Sequence, residues 1–219
     1  RGAAITTNTD IVDAMAAIAT AYGSRRLFWV QPETVVTTIE GLEQEVGGQY
    51  ACAAITGMVG QQNPSQPFTN FPMVGFSGVE GSNTKFSTTQ LDTAAGGGVY
   101  WLIQDVDGAP IIARHQLSTN ITTVETRELS IVKAVDYTAK FMRTSLKRFI
   151  GRYVINASLM QLIGAVAKGV IEVLREANVI AGGEVQAVVQ DTDNPDRVMV
   201  DVVLNVLYPC NYIRVTLII

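Results

Sequence analysis

Residues 184–219 read EVQAVVQDTDNPDRVMVDVVLNVLYPCNYIRVTLII, and three β patterns lie within them. Glu184–Gln190 and Val198–Leu207 are rich in valine and leucine and flank the polar stretch DTDNPD, where Pro195 supports a turn. The last run, Asn211 to Ile219, alternates Ile213, Val215, Leu217 and Ile219 on one face with Tyr212, Arg214, Thr216 and Ile218 on the other. It carries no charge after Arg214 and stops without a polar tail. A bare edge of this kind invites aggregation, whereas one added to a neighbour's sheet gains main-chain hydrogen bonds and buries its apolar faces. A strand paired within its own subunit is the plainer reading of the same residues.

Two long helical patterns precede this β-rich end. Ile131, Val135, Met142, Leu146 and Phe149 form one stripe in the region from Glu128 to Ile150, read as the longest helix. Leu159, Ile163, Val166, Val170 and Leu174 form another, which Asn156 or Ser158 can cap. Further upstream, Ile11, Met15, Ile18 and Tyr22 predict a helix with Thr9 or Asp10 at its start and Gly23 at its end. Leu27–Val30 reads as a buried strand stopped by Pro32. Val35, Ile39, Leu42 and Val46 fit the inner face of a second helix ended by Gly47 and Gly48, and Tyr50–Val59 fits a third. Residues 61–87, rich in Gly, Pro, Asn and Ser, read as mostly loop, after which Ser87 or Thr88 can cap a short helix. Val99–Gln104 and Pro110–His115 then make a hairpin through Asp107-Gly108. This order predicts an α/β fold, a mixed β-sheet with helices packed on it.

The bulk numbers agree with a chain that buries much apolar surface or reserves some for partners. Of 219 residues, 47% are hydrophobic and 16% charged, below the roughly 25% charged that is usual. No run reaches the ~18 uncharged apolar residues of a spanning helix, since Gln161 and Lys168 interrupt the most apolar one, so no membrane insertion is expected. Cys52 and Cys210, the only cysteines, suggest neither a disulfide framework nor a metal site, and point to a reducing compartment. A start at Arg1 without a signal-peptide pattern reads as part of a longer or processed protein. Net charge is −4, yet residues 127–152 hold seven basic residues against two acidic ones, a surplus of five that leaves −9 for the rest. Within that segment Lys133, Lys140 and Lys147 recur every seven residues on one helix face, with Arg143 between them.

Catalytic patterns are weak. The run Gly96-Gly97-Gly98 lies between a helix and a strand, the reverse of a phosphate loop, and reads as a helix end with a tight turn. His115 is the only histidine, and no nucleophile elbow accompanies it, so it reads as a hydrogen-bonded structural residue. The stretch from Asp191 to Asp196 lacks the glycine and glutamate of a calcium loop. No catalytic residue, metal ligand or cofactor is expected. Nucleic-acid binding by the basic helix of residues 127–152 and an α/β hydrolase-like enzyme built on His115 are the alternatives. Against the first, the chain as a whole is acidic, with a pI of about 5.0.

Four segments, in order, resemble the sheath proteins of contractile phage tails and related injection systems. They are Pro67-Phe68-Thr69-Asn70 with Gly75; Gly98-Val99 through Arg114-His115-Gln116-Leu117-Ser118-Thr119; Glu128-Leu129-Ser130-Ile131-Val132 with Asp136-Tyr137 and Phe149-Ile150-Gly151; and Tyr208-Pro209, Asn211-Tyr212-Ile213 and Val215-Thr216-Leu217. Ser118 stands where the family more often has threonine.

The resemblance implies a structural subunit, not an enzyme. Copies would stack as six-membered rings into a helical tube around an inner tail tube, and contraction would move whole subunits as rigid bodies. It implies a core over residues 1–207 and a linking arm over 208–219, whose strand completes a neighbour's sheet. The expected partners are neighbouring copies and the inner tail tube protein, with no nucleic acid. The inner tube is the expected contact of Lys133, Lys140, Arg143 and Lys147. The setting it implies is the virion tail or a related contractile particle, assembled in the bacterial cytoplasm.

Overall fold

The computed structural model describes residues 7–79, 86–106 and 108–217. Contacts divide the chain into two compact units, the first of residues 1–62, 66–132 and 209–219, the second of 63–65 and 133–208. The first is organised by the strand Val99–Ile103 (VYWLI), buried along nearly its whole length. Strands bury alternate residues on opposite sides, and here both sides are covered. Tyr100 and Leu102 enter one core with Phe68, Ile55 and Ile111, while Val99 and Trp101 enter another with Val12, Ala19, Leu91 and Ala94.

Numbered along the chain, the strands of this unit are β1 (Trp29–Gln31), β2 (Thr34–Ile39), β3 (Leu42–Gly47), β4 (Pro72–Met73), β5 (Gly78–Val79), β6 (Val99–Ile103) and β7 (Ile111–Ala113). They form a mixed sheet in the order β1-β6-β7-β4, with β1 parallel to β6 and the other pairs antiparallel, and an antiparallel sheet β3-β2-β5. Helix α1 (Asn8–Tyr22) and helix α3 (Thr88–Gly96) pack together beside β6, and α2 (Gly48–Gln61) adjoins β1, β2 and β3. The expected strand pair β6–β7 is present; Asp107 of its connecting turn lies outside the described residues.

Three expectations need correction. Residues 34–47 are a β-hairpin, not a helix. The register pairs Val35 with Val46 and Ile39 with Leu42, so the four residues expected on a helix face share one face of a hairpin instead. Local chemistry decides between the two. Thr34–Ile39 is an unbroken run of six β-branched residues, which disfavour helix. Glu40 and Gly41 both take positive φ, 51° and 82°, as a two-residue hairpin turn requires. Secondly, Thr7, not Thr9 or Asp10, caps α1; Asp10 closes the reciprocal box by accepting from the Thr7 amide at 3.0 Å. The buried stripe of α1 runs through Val12 and Ala19, leaving Ile18 and Tyr22 exposed. Ser87 caps α3 as expected, with Gln90 completing its box.

Thirdly, α5 (Leu129–Leu146) ends as a short 3₁₀ turn at Lys147–Phe149, so the longest α-helix is α6 (Ala157–Glu176), capped by Asn156. A four-residue helix, α4 (Val124–Arg127), precedes α5. In the second unit Leu159, Ile163, Ala167, Val170, Ile171 and Leu174 of α6 are buried. They meet Val185, Val188, Val200, Val202 and Leu204 of the antiparallel hairpin β8 (Gly182–Gln190) and β9 (Val198–Asn205). By length and hydropathy alone α6 could cross a membrane, yet its apolar stripe is the face laid on this hairpin. The turn between the strands is organised by Asp191, whose carboxylate accepts from the amides of Asp193 and Asn194 and from the Arg197 guanidinium.

Two left-handed glycines of the first unit separate strain from crowding. A Cβ on Gly41 (φ 82°) meets nothing within 4 Å, so Gly41→Ala should cost about 1 kcal/mol from strain. One on Gly98 (φ 85°) would lie 2.7 Å from the Ser118 carbonyl oxygen and 3.0 Å from Thr119 Cα. Gly98→Ala should therefore cost roughly 3 kcal/mol or more, read as the shift in urea midpoint.

Candidate functional site

The stretch Arg114–Thr119 leaves β7 as a strip of polar side chains, each tied to a different part of the first unit. Arg114 pairs with Asp92 of α3 at 2.5 Å. Gln116, fully buried, accepts from the Phe68 amide at 3.0 Å and donates to Ser130 Oγ at 3.0 Å. Ser118 Oγ donates to the Thr126 carbonyl at 2.8 Å. Thr119 Oγ1 donates to the Ser24 carbonyl and accepts from the Ser24 amide, both at 3.0 Å. The backbone continues the pattern: Ser118 N donates to Arg127 O at 2.7 Å and Leu129 N to Gln116 O at 3.0 Å. The Pro67–Asn70 loop is held here too, by the Asn70 amide on Ala113 O at 2.8 Å.

His115 lies at the centre of this strip. Its Nε2 is 2.9 Å from Glu128 Oε1, and the Glu128 side chain is wholly buried. Arg127 Nε donates to the same oxygen at 3.2 Å. Two residues from the C-terminal run complete the group. Asn211 Nδ2 lies 3.2 Å from His115 Nε2, and the Tyr212 hydroxyl 3.5 Å from His115 Nδ1, with the two rings edge to face at 6.0 Å. Burial raises the Glu128 pKa, but hydrogen bonds from His115, Asn211 and Arg127, with the His115 charge, outweigh it and hold the carboxyl below its ordinary value. A carboxylate facing Nε2 fixes the ring proton there, so in the neutral ring Nδ1 is the acceptor left for Tyr212. Tyr212 and His115 also line a cavity of about 470 Å³ with Asp92, Arg114, Ile121 and Arg127.

His115 is thus bounded by Glu128 and Asn211 at Nε2 and by Tyr212 at Nδ1. The sequence reading singled out Asn211 and Tyr212 and missed Glu128. Its signal was available, since an acidic residue amid a basic segment and next to Arg127 invites the question of what holds it.

From Tyr212, itself 79% exposed, the run is bare. Ile213, Val215 and Leu217 are exposed by 82%, 75% and 86%, Arg214 and Thr216 are exposed too, and residues 206–217 join no strand among the described residues. Ile218 and Ile219 lie outside the described residues. Among the basic candidates, Lys140, Arg143 and Lys147 are exposed on α5 and its 3₁₀ end. Lys133 is half-buried, donates to the Asn63 carbonyl at 3.3 Å, and has its pKa lowered by that burial. Arg143 and Lys147 line a groove of about 890 Å³ in the second unit, with Ile150, Tyr153, Asp196 and Arg197.

No family model matches the chain. Over 200 residues it is 26% identical to a tail sheath protein of Mycobacterium phage Bxz1, covering 87% of this chain and 33% of that protein. Among solved structures it is similar to the helical sheath of the anti-feeding prophage in its contracted state, with a TM-score of 0.72, 13% identity, and coverage of 96% of this chain and 66% of that one. It is also similar to a sheath tail protein from Desulfitobacterium hafniense, with a TM-score of 0.63, 14% identity, and coverage of 86% and 47%. The chain thus has the fold of sheath proteins and spans about a third of its phage relative, and the sheath resemblance read from the sequence holds.

Because the folded pKa of Glu128 is depressed, its contribution to stability is complete at neutral pH and is lost as the pH falls from the ordinary carboxylate range through the folded value. Glu128→Gln should therefore cost about 2 kcal/mol at neutral pH. Urea unfolding of variant and parent should converge as the solution is made acid; a gap that stays constant would show that the carboxylate charge plays no part.

Proposed function

We propose that this chain is the assembly-forming part of a contractile tail sheath subunit, a mechanical element that links copies of itself and catalyses nothing. The observation that carries this reading is the C-terminal run: in contact with His115 at Asn211 and Tyr212, then exposed, apolar and outside any strand among the described residues. On this reading residues 1–207 are the core and 208–219 the linking arm. Adding Asn211–Ile219 to a neighbour's sheet would cover Ile213, Val215 and Leu217, each worth about 2 kcal/mol when buried, and would satisfy its backbone groups. The β8–β9 hairpin is a suitable acceptor, because a two-stranded sheet has two open edges and its outward face shows Met199 and Val203, exposed by 41% and 52%.

Copies joined in this way stack as six-membered rings into a helical tube around an inner tail tube. Contraction rearranges them as rigid bodies while the arms hold, driving the tube through the target envelope. The subunit works in the virion tail or a related contractile particle, assembled in the bacterial cytoplasm. The similarity to sheath proteins of a phage and of a prophage particle supports this setting. Lys140, Arg143 and Lys147, with Lys133 at their inner end, offer a positive face to an acidic inner tube. Exposed charges of this kind are screened by salt and easily given up when the sheath moves.

Deleting Asn211–Ile219 from the full-length protein should leave folded subunits that no longer form tubes by negative-stain microscopy; normal tubes would refute the arm. Reversing the charge at Lys140, Arg143 and Lys147 together should leave self-assembly intact. It should weaken co-sedimentation with inner tubes by tenfold or more at low salt, and by less at high salt, where the parent also binds weakly.

A further inference from the structure

We propose that His115 is a positioning residue that, seated on Glu128, sets the direction in which the C-terminal arm leaves the first unit. The proposal rests on the arm reading above and adds the device that aims it.

The geometry divides the two ring nitrogens between two tasks. Nε2 is spent on Glu128 at 2.9 Å, and that carboxylate is itself fixed by Arg127. Glu128 cannot shift, because its neighbours in sequence are bound through the backbone to Ser118 and Gln116. A ring held this way offers Nδ1 in one direction, and the group found there is the Tyr212 hydroxyl, at 3.5 Å. The edge of one ring faces the other at 86°, so the tyrosine is oriented by shape as well as by its hydroxyl. Asn211, one residue earlier, places its amide 3.2 Å from Nε2 of the same ring, beside the Glu128 contact. Two successive residues of the run are thus held from two sides, which fixes a direction as well as a point. Tyr212 is itself 79% exposed and meets His115 by its hydroxyl and ring edge; beyond it Ile213, Val215 and Leu217 are exposed as well, with no side-chain contact to the polar strip among the described residues.

Two substitutions separate positioning from stability. His115→Gln can keep a donor to Glu128 but offers nothing at the Nδ1 position, and Tyr212→Phe keeps the ring but loses the hydroxyl. Arg214 is an exposed tryptic site two residues beyond the tie, and cleavage there needs the residues before it to enter the protease cleft. In full-length subunits kept unassembled, both variants should be cut after Arg214 about fivefold faster than the parent, what losing one hydrogen bond allows. Tyr212→Phe should leave Tm unchanged, as a merely stabilising contact would not. Unchanged cleavage in Tyr212→Phe would overturn the proposal, whatever the folding of the histidine variant. The cleavage rate reads the tie in single subunits, whereas tubes read the arm, so failure of one is distinguishable from failure of the other.

Discussion

A charge buried without exposure must be matched, and in this chain the Glu128 carboxylate sets that demand. Its hydrogen-bond donors are His115 after β7 and Arg127 at the end of α4, both on Oε1, with Asn211 near the C-terminus beside them at His115. Removing any one would leave part of the desolvation cost uncompensated, so the pair is better understood as specifying an arrangement than as adding net stability. The surrounding backbone follows the same logic. Leu117 bridges Glu128, and hydrogen bonds on either side join Ser118 to Arg127 and Leu129 to Gln116. The start of α5 is therefore placed by polar contacts, while two apolar cores lie on either side of β6 in the first unit.

Much of this was legible in the sequence where one local signal acts alone. The β6 and β7 strands, the Ser87 and Asn156 caps, the stripe of α6 and the β8–β9 hairpin each follow from a periodicity or a capping residue that nothing contradicts. The helix expected over residues 35–46 failed because spacing was trusted over chemistry. Positions 35, 39, 42 and 46 suit a helix face and a hairpin with a turn at 40–41 equally well, and only the β-branched run and the glycine distinguish them. The α1 stripe was misplaced because large residues were favoured over small ones. Ala19 is buried against α3 and β6 precisely where a close helix approach suits alanine, and Ile18 is not. The sequence shows Glu128 as an acidic residue beside Arg127 in a basic segment, but not its pairing with His115, which lies 13 residues before it.

The C-terminal run joins two opposed requirements. On the proposed reading its outer part stays unpaired in the single subunit yet remains able to pair, and an exposed apolar segment is hazardous to carry. Arg214 is the one charge in that part and stands among the outward residues of the alternation, opposite Ile213, Val215 and Leu217. Its inner part, by contrast, is bound through polar groups whose geometry is directional. An apolar root could have supplied the same affinity, but dispersion contacts tolerate sliding along a surface in a way that hydrogen bonds to a fixed histidine and carboxylate do not.

Direction matters because strand addition depends on parity. Side chains alternate with a period of two, so a slip of one residue would turn Ile213, Val215 and Leu217 away from an acceptor's apolar face and present Arg214 and Thr216 instead. A free segment would sample both registers, since main-chain hydrogen bonding alone favours neither strongly. Holding Asn211 and Tyr212 against His115 and Glu128 removes the rotation of the chain about its own axis at the point of departure. On the proposed reading, the buried charge of one unit thereby determines which face the arm offers to the next copy, and the polar strip after β7 becomes the part of the fold that converts a stable core into a directed link.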